Sequence, residues 1–253
     1  MANIKLVALD MDGTLLNDRQ EVSPRNAAVI RRALDAGVIV CLATGRGVQS
    51  VLPYTELLGL TTPMITVNGG EIWRRPRELH RRTAMEAADV LQLRELALQY
   101  GVWYWAYTTE GVFNRERWIE PEDAVHDRVW LKFGYYEENL EILEQIRAKA
   151  ASRGRFEISN SSPVNLELNP AGVSKGAALI ELCGLLGIDP SETAAAGDSL
   201  NDLSMIRTAG LGAAMGGAQP KVKEEADIVL PGNNDDGVAH LIEHFVLGDR
   251  GAS

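Results

Sequence analysis

Short apolar runs alternating with helix-forming stretches constrain this chain more than any other feature. Ile4-Lys5-Leu6-Val7-Ala8-Leu9 is followed by Ser23-Pro24, a capping residue with proline set for the first turn of a helix. Ala27, Ile30 and Leu34 recur on one face of that helix, and Gly37 is placed to end it. Val38–Leu42 is nearly all apolar, as expected of a strand covered on both faces. After another helical stretch, Pro63-Met64-Ile65-Thr66-Val67 runs into Asn68-Gly69-Gly70. Apolar strands alternating with helices predict an α/β fold with a doubly wound parallel sheet.

The pattern changes between about residues 82 and 170. Ala87–Tyr100 reads as a helix with Val90, Leu93, Ala97 and Tyr100 on one side, and a charged helix spans Glu138–Ala151. Trp103–Tyr107, Val129–Phe133 and Val164–Leu168 read as strands, and the last alternates in a way that predicts one wet face. Trp103, Trp105, Trp118 and Trp130 all lie here and read as core rather than as a ligand platform. From Ser174 the first pattern returns, with a helix at Lys175–Leu186, a strand at Thr193–Ala196 and short runs near Leu211–Met215 and Ile228–Leu230. The expected organisation is therefore a discontinuous core, 1–81 with 171–253, interrupted by an α+β insert at 82–170. Gly248–Ser253 is expected to fray.

The charge balance narrows the function classes. The 253 residues carry a formal net charge of −10, which argues against a nucleic-acid binder because that class needs a basic field. An anionic small molecule remains a possible ligand if a metal or a few cations reverse the potential locally. The two cysteines, Cys41 and Cys183, read as small buried hydrophobes. The N-terminus reaches Asp10 too soon for a signal peptide, and no apolar run is long enough to span a bilayer. A cytoplasmic protein without a membrane partner is expected.

The chemistry-bearing residues sit where strands end and helices begin. Asp10-Met11-Asp12-Gly13-Thr14 closes the first apolar run. In an extended segment residues i and i+2 share a face, so Asp10 and Asp12 point the same way, and two such carboxylates call for a cation, a proton or a substrate. One can then act as a nucleophile beside a metal while the other, its pKa displaced, handles a proton. Thr44-Gly45-Arg46 follows the second run, where the hydroxyl and free helix amides could hold a phosphate oxygen. Ser174 reads as an N-cap, placing Lys175 in a first turn, where a cation opposes the helix dipole. Gly197-Asp198-Ser199-Leu200-Asn201-Asp202 packs hard oxygen ligands of the kind that suit Mg²⁺ after another apolar strand. Individually each has a bland reading as a turn, a cap or a solvated lysine. Together they converge on the carboxyl edge of a parallel sheet, where ligands bind in open α/β folds.

With these motifs the chain resembles the haloacid dehalogenase-like superfamily of aspartyl phosphotransferases, and within it the Cof-type sugar phosphatases with a type IIB cap. The resemblance also takes in Asn68-Gly69-Gly70, Gly172-Val173-Ser174-Lys175-Gly176, Ala214-Met215-Gly216 and Asp236-Gly237-Val238, and it extends over essentially the whole chain. Gly217 departs from the asparagine usual in that subfamily. The resemblance implies a Rossmann-like core and an inserted cap that closes over the site. It also implies a Mg²⁺-dependent phosphomonoester hydrolase acting on a small phosphorylated metabolite through an aspartyl-phosphate intermediate. Asp10 would be the nucleophile and Asp12 the acid–base. Thr44, Gly45, Arg46, Lys175 and Asn201 would bind phosphate or substrate. Asp10, Asp12, Asp198 and Asp202 would form the metal site, Asp12 through its backbone carbonyl. Two rival readings stay open: a phosphomutase of the same superfamily, and a catalytically silent metabolite-binding protein.

Overall fold

The computed structural model describes residues 3–119 and 122–248. In chain order the elements are β1 (Leu6–Leu9), α1 (Pro24–Asp35), β2 (Ile39–Ala43), α2 (Val48–Leu58), β3 (Met64–Thr66), β4 (Glu71–Arg75), β5 (Glu78–Arg82), α3 (Ala87–Tyr100), β6 (Trp103–Thr108) and β7 (Val112–Asn114). They continue with β8 (Trp130–Tyr136), α4 (Leu140–Ala151), β9 (Phe156–Ser159), β10 (Asn165–Pro170), α5 (Lys175–Leu186), β11 (Thr193–Gly197), α6 (Leu203–Thr208), β12 (Leu211–Ala214), α7 (Pro220–Glu225), β13 (Ile228–Val229) and α8 (Gly237–Leu241). The chain divides into two compact units, one formed by Met1–Arg81 with Ser174–Ser253 and the other by Arg82–Val173. Of the segment expected to fray, residues 249–253 lie outside the described residues.

The first unit holds an eight-stranded sheet in the order β13-β12-β11-β1-β2-β3-β4-β5. From β13 through β3 all pairings are parallel. Alternate residues of the central strands serve opposite faces. Val7, Leu9, Val40 and Leu42 pack with Val29 and Ile30 of α1, whereas Leu6, Ala8, Cys41 and Ala43 pack with Ala178, Leu179 and Leu182 of α5. This two-sided burial is why these strands read as continuous apolar runs. Each fully buried Val or Leu contributes roughly 1.5–3 kcal/mol relative to exposure. The Ser23 hydroxyl caps α1 by accepting from the Asn26 amide at 3.0 Å.

The sheet is not parallel to its edge. β4 runs antiparallel to β3, and β5 follows across the turn Pro76-Arg77. Sequence reasoning misses this pair because Arg74 and Arg75 are exposed and the strand is buried only over Glu71–Trp73, so it carries no apolar run.

The second unit is a five-stranded antiparallel sheet in the order β7-β6-β8-β10-β9. One face buries Tyr104, Ala106, Trp130, Phe133, Tyr135, Leu166 and Leu168 against Val90, Leu93 and Ala97 of α3 and Leu143 and Ile146 of α4. Trp118 packs against this cluster from its margin. Trp103 and Trp105 do not belong to it, because strand alternation turns them to the other face, where the Trp105 ring lies against Gly134. The expectation that all four tryptophans form one core is corrected accordingly. β10 also lacks the wet face its alternation predicts: Glu167 and Asn169 are buried, and Glu167 accepts from the Lys132 ammonium at 2.9 Å.

Candidate active site

The site is assembled where β1, β2 and β11, neighbours at the centre of the larger sheet, reach their carboxyl ends. β1 is buried throughout and ends at Leu9, and the Asp10 amide continues its pairing by donating to the Ala196 carbonyl at 3.0 Å. The chain then turns, with Gly13 at φ +75°. A Cβ on Gly13 would stand 2.7 Å from a carboxylate oxygen of Asp198, so only glycine meets both demands there.

Lys175 occupies the first position of α5, after the Ser174 side chain, which accepts from the Ala177 amide at 3.2 Å. It is fully buried, and its Nζ donates to Asp10 Oδ1 and to Asp202 Oδ1, each at 2.6 Å. Two carboxylates at that distance outweigh the few tenths of a kcal/mol to about 1 kcal/mol by which a helix N-terminus disfavours a cation. Burial pulls the ammonium down, but Asp10 and Asp202 overcome it and hold Lys175 above its ordinary value.

Asp202 is held by hydrogen bonds on both of its carboxylate oxygens. Its Oδ2 accepts from the amides of Asp198 at 2.9 Å and Ser199 at 3.1 Å, leaving Oδ1 to Lys175. This folds the turn after β11 so that Asp198 faces Asp10. A Cβ on Gly197 would stand 2.3 Å from Cβ of Asp202, which explains the glycine at the end of β11. The Ser199 hydroxyl donates to Asp198 Oδ2 at 2.9 Å.

One oxygen from each of Asp10, Asp198 and Asp202 lies within 4.8 Å of the others. With all three ionised and Lys175 charged, the cluster carries two excess negative charges. Burial and the nearby Asp202 push the Asp10 carboxyl well up, against the pull of Lys175. Burial and Asp202 likewise push Asp198 up to about 7. An oxygen-only donor set with this surplus fits a hard divalent cation.

Asp12 stands apart from the trio. Its carboxylate is half-exposed and receives Arg46 Nε at 2.7 Å and Nη2 at 2.5 Å. Burial alone would raise it, but the Arg46 hydrogen bonds and charge outweigh that and lower it. The i, i+2 rule that puts Asp10 and Asp12 on one face fails because the strand ends at Leu9 and Met11–Gly13 is a turn, with the Thr14 amide donating to the Met11 carbonyl at 3.3 Å. The Asp12 side chain is therefore not a member of the acidic cluster, and its pKa is displaced downward.

Thr44 is buried just beyond β2, its hydroxyl accepting from the Arg46 amide at 3.2 Å, with half-buried Gly45 between them. Arg46 is committed to Asp12 rather than standing free for a phosphate. Asn201 is buried and donates to Asn68 Oδ1 at 3.3 Å. Asn68, a residue not singled out in sequence as a site residue, is tied to the same cluster by its amide, which donates to the Thr44 carbonyl at 3.0 Å. Its signal was the Asn-Gly-Gly run directly after a strand. The Thr14 hydroxyl is buried without a hydrogen-bond partner among the described residues.

A parallel sheet with carboxylates, a buried lysine and a hydroxyl gathered at its carboxyl edge defines a phosphoryl-transfer class of α/β enzyme. The haloacid dehalogenase-like hydrolase family matches residues 7–242, and the chain belongs to it. It is 42% identical over 245 residues to the 5-amino-6-(5-phospho-D-ribitylamino)uracil phosphatase YcsE of Bacillus subtilis (strain 168), covering 97% of each chain. Among solved structures, a haloacid dehalogenase-like hydrolase from B. subtilis aligns with TM-score 0.87 at 27% identity, over 96% of this chain and 100% of that one. The subclass IIB sugar phosphatase BT4131 aligns with TM-score 0.82 at 22% identity over 95% and 98%, a likeness of fold. The chain is thus an enzyme, a phosphatase of this family. No helix among the described residues is long and apolar enough to cross a membrane.

Proposed function

We propose that this chain is a Mg²⁺-dependent phosphomonoester hydrolase that works through an aspartyl-phosphate intermediate. The observation that carries the reading is Lys175, buried at 2.6 Å from both Asp10 and Asp202 in a cluster that still has negative charge to spare. A structural ion pair would balance its charges. Here the surplus calls for a cation, and a cation beside a buried nucleophile is what phosphoryl transfer uses.

Asp10, Asp198 and Asp202 would hold the Mg²⁺, which would supply neutralisation of charge on the transferring phosphoryl oxygens. Asp198 would be a direct ligand, and Asp202, engaged by two amides and Lys175, would mainly hold the shape of the site. Asp10 attacks phosphorus, the ester P–O bond breaks, and the leaving oxygen takes a proton from Asp12. Arg46 holds Asp12 ionised in the free protein, so Asp12 takes up that proton from solvent as substrate binds. Water then attacks phosphorus and gives a proton to Asp12. The aspartyl P–O bond breaks, releasing inorganic phosphate and restoring the Asp10 carboxylate. Thr44, the Gly45 backbone, Lys175 and Asn201 hold the phosphoryl group, while Arg46 holds Asp12 beside the substrate. Residues 1–81 with 171–253 serve as the catalytic core and 82–170 as the cap domain.

The substrate is a small phosphorylated metabolite. The 42% identity to YcsE makes 5-amino-6-(5-phospho-D-ribitylamino)uracil the first compound to test. The test is release of inorganic phosphate from a panel of phosphorylated metabolites with Mg²⁺ and with excess chelator, without any activating bisphosphate. Turnover that survives in chelator, or none on any compound, rejects the proposal.

A further inference from the structure

Arg46 grips Asp12 through two hydrogen bonds, but a long side chain alone would not hold a half-exposed carboxylate in one orientation. Two residues outside the phosphate motifs hold Arg46 in turn. Gln20 Oε1 accepts from Arg46 Nη2, the same nitrogen that reaches Asp12. The Tyr54 ring lies beneath the guanidinium, with Arg46 Cζ 5.6 Å from its centroid. The two supports are themselves joined, because the Tyr54 hydroxyl donates to the Gln20 backbone carbonyl at 3.0 Å.

The backbone at Gln20 adds a second observation. Its φ is +61°, in the left-handed region where glycine is the unstrained residue. The turn is closed by the Gln20 amide donating to the Asn17 carbonyl at 2.9 Å and by the Asn17 amide donating to the Glu21 carbonyl at 3.0 Å. Glycine would close the same turn without strain but has no amide oxygen to offer Arg46. Strain of this kind persists where the surroundings enforce it and clusters at functional sites.

We propose that Gln20 and Tyr54 are positioning residues that, through Arg46 and through Gln20's own contact with Asp12, hold the Asp12 carboxylate where the leaving oxygen needs its proton. The inference rests on the acid–base role given to Asp12 under the proposed function. Gln20 also hydrogen-bonds the Asp12 carboxylate itself, whereas Tyr54 reaches it only through Arg46 and Gln20. Both act on the direction in which Asp12 delivers a proton, so their loss falls on esters whose leaving group needs that proton and spares esters whose leaving group does not.

The test compares kcat/KM for phenyl phosphate, a poor leaving group, with kcat/KM for p-nitrophenyl phosphate, a good one. Four proteins are measured with Mg²⁺: the parent, Gln20→Gly, Tyr54→Phe and Asp12→Asn. Asp12→Asn sets the scale, and its phenyl-to-nitrophenyl ratio should fall by about 10²-fold, the lower end for general acid catalysis. Gln20→Gly relieves the backbone and removes the amide, so it should melt no lower than the parent while its ratio falls by about three- to tenfold, a misdirected rather than a missing acid. Tyr54→Phe keeps the ring under Arg46 and removes only the anchor on Gln20, and its ratio should fall by less than that of Gln20→Gly. A merely structural role would lower both rates together and leave the ratio unmoved. A parental ratio in Gln20→Gly alongside a lowered one in Asp12→Asn overturns the inference and leaves the proposed function standing. A parental ratio in Tyr54→Phe removes Tyr54 from it. A parental ratio in Asp12→Asn overturns the acid role and this inference together, and no turnover by the parent on either ester counts against the proposed function itself.

Discussion

Each unit buries a lysine, and the two lysines do opposite things. Lys132 of β8 and Lys175 of α5 are both almost entirely removed from solvent, and both donate to carboxylates below 3 Å. Lys132 donates to Glu167, with the Tyr107 ring 4.7 Å from its ammonium, an ion pair with one charge of each sign. Lys175 meets Asp10 and Asp202, with Asp198 close behind, so its site is left negative. A balanced buried pair is a structural feature of uncertain net worth, because desolvation offsets its attraction. An unbalanced one is a demand for a ligand. The difference between these lysines separates a fold device from the proposed reaction centre better than burial does.

The comparison can be broken in order of effect. Asp10→Asn should abolish turnover and the trapping of phosphate on the protein while the fold persists, as read by phosphate release and circular dichroism. Turnover near the parent would remove Asp10 as nucleophile. Lys175→Met should lower kcat by roughly two to three orders of magnitude, the typical loss for one preorganised electrostatic contact. A drop of less than a few-fold would put Lys175 in the same class as Lys132.

Lys132→Met should show its effect in stability, by roughly 3–5 kcal/mol in denaturant unfolding, since the buried Glu167 carboxylate loses its ion-pair partner. Replacing Glu167 as well, in Lys132→Met with Glu167→Leu, should recover most of that loss because no charge remains. Failure to recover would mean that Lys132 does more than balance Glu167. The smallest effect concerns pH. Asp198 is pushed up to about 7 in the metal-free protein, so cation binding must displace its proton at lower pH. Mg²⁺ affinity measured by calorimetry should therefore weaken as pH falls below about 7, and more steeply than the roughly tenfold per unit of one proton wherever the Asp10 carboxyl, also pushed up, must lose its proton too. An affinity flat from pH 5 to 8 would show that Asp198 is not the ligand.

Much of the site was legible because its pieces are local. Helices α3 and α5 span the ranges their periodicity predicts, since a face of apolar residues with a cap or a terminal glycine is written within a few turns. Asp10, Thr44 and Asp198 each follow an apolar run, and in a parallel sheet a strand's end is also its place on the ligand-binding edge. The β4–β5 pair was hidden by its exposed arginines, and the wet face expected of β10 was lost to a residue 35 positions away.

By itself the sequence determined which carboxylates, hydroxyl and lysine stand at strand ends and helix starts, and hence that they gather at one sheet edge. Only the tertiary structure decided which side chains pair there. Asp12 turns from Asp10 to Arg46 across 34 residues, Asn201 reaches Asn68 across 133, and Lys175 chooses Asp10 across 165. The reason is physical. Backbone conformation follows from neighbours along the chain, whereas a charge pairs with whatever the folded sheet brings within about 3 Å, and no local pattern encodes that partner.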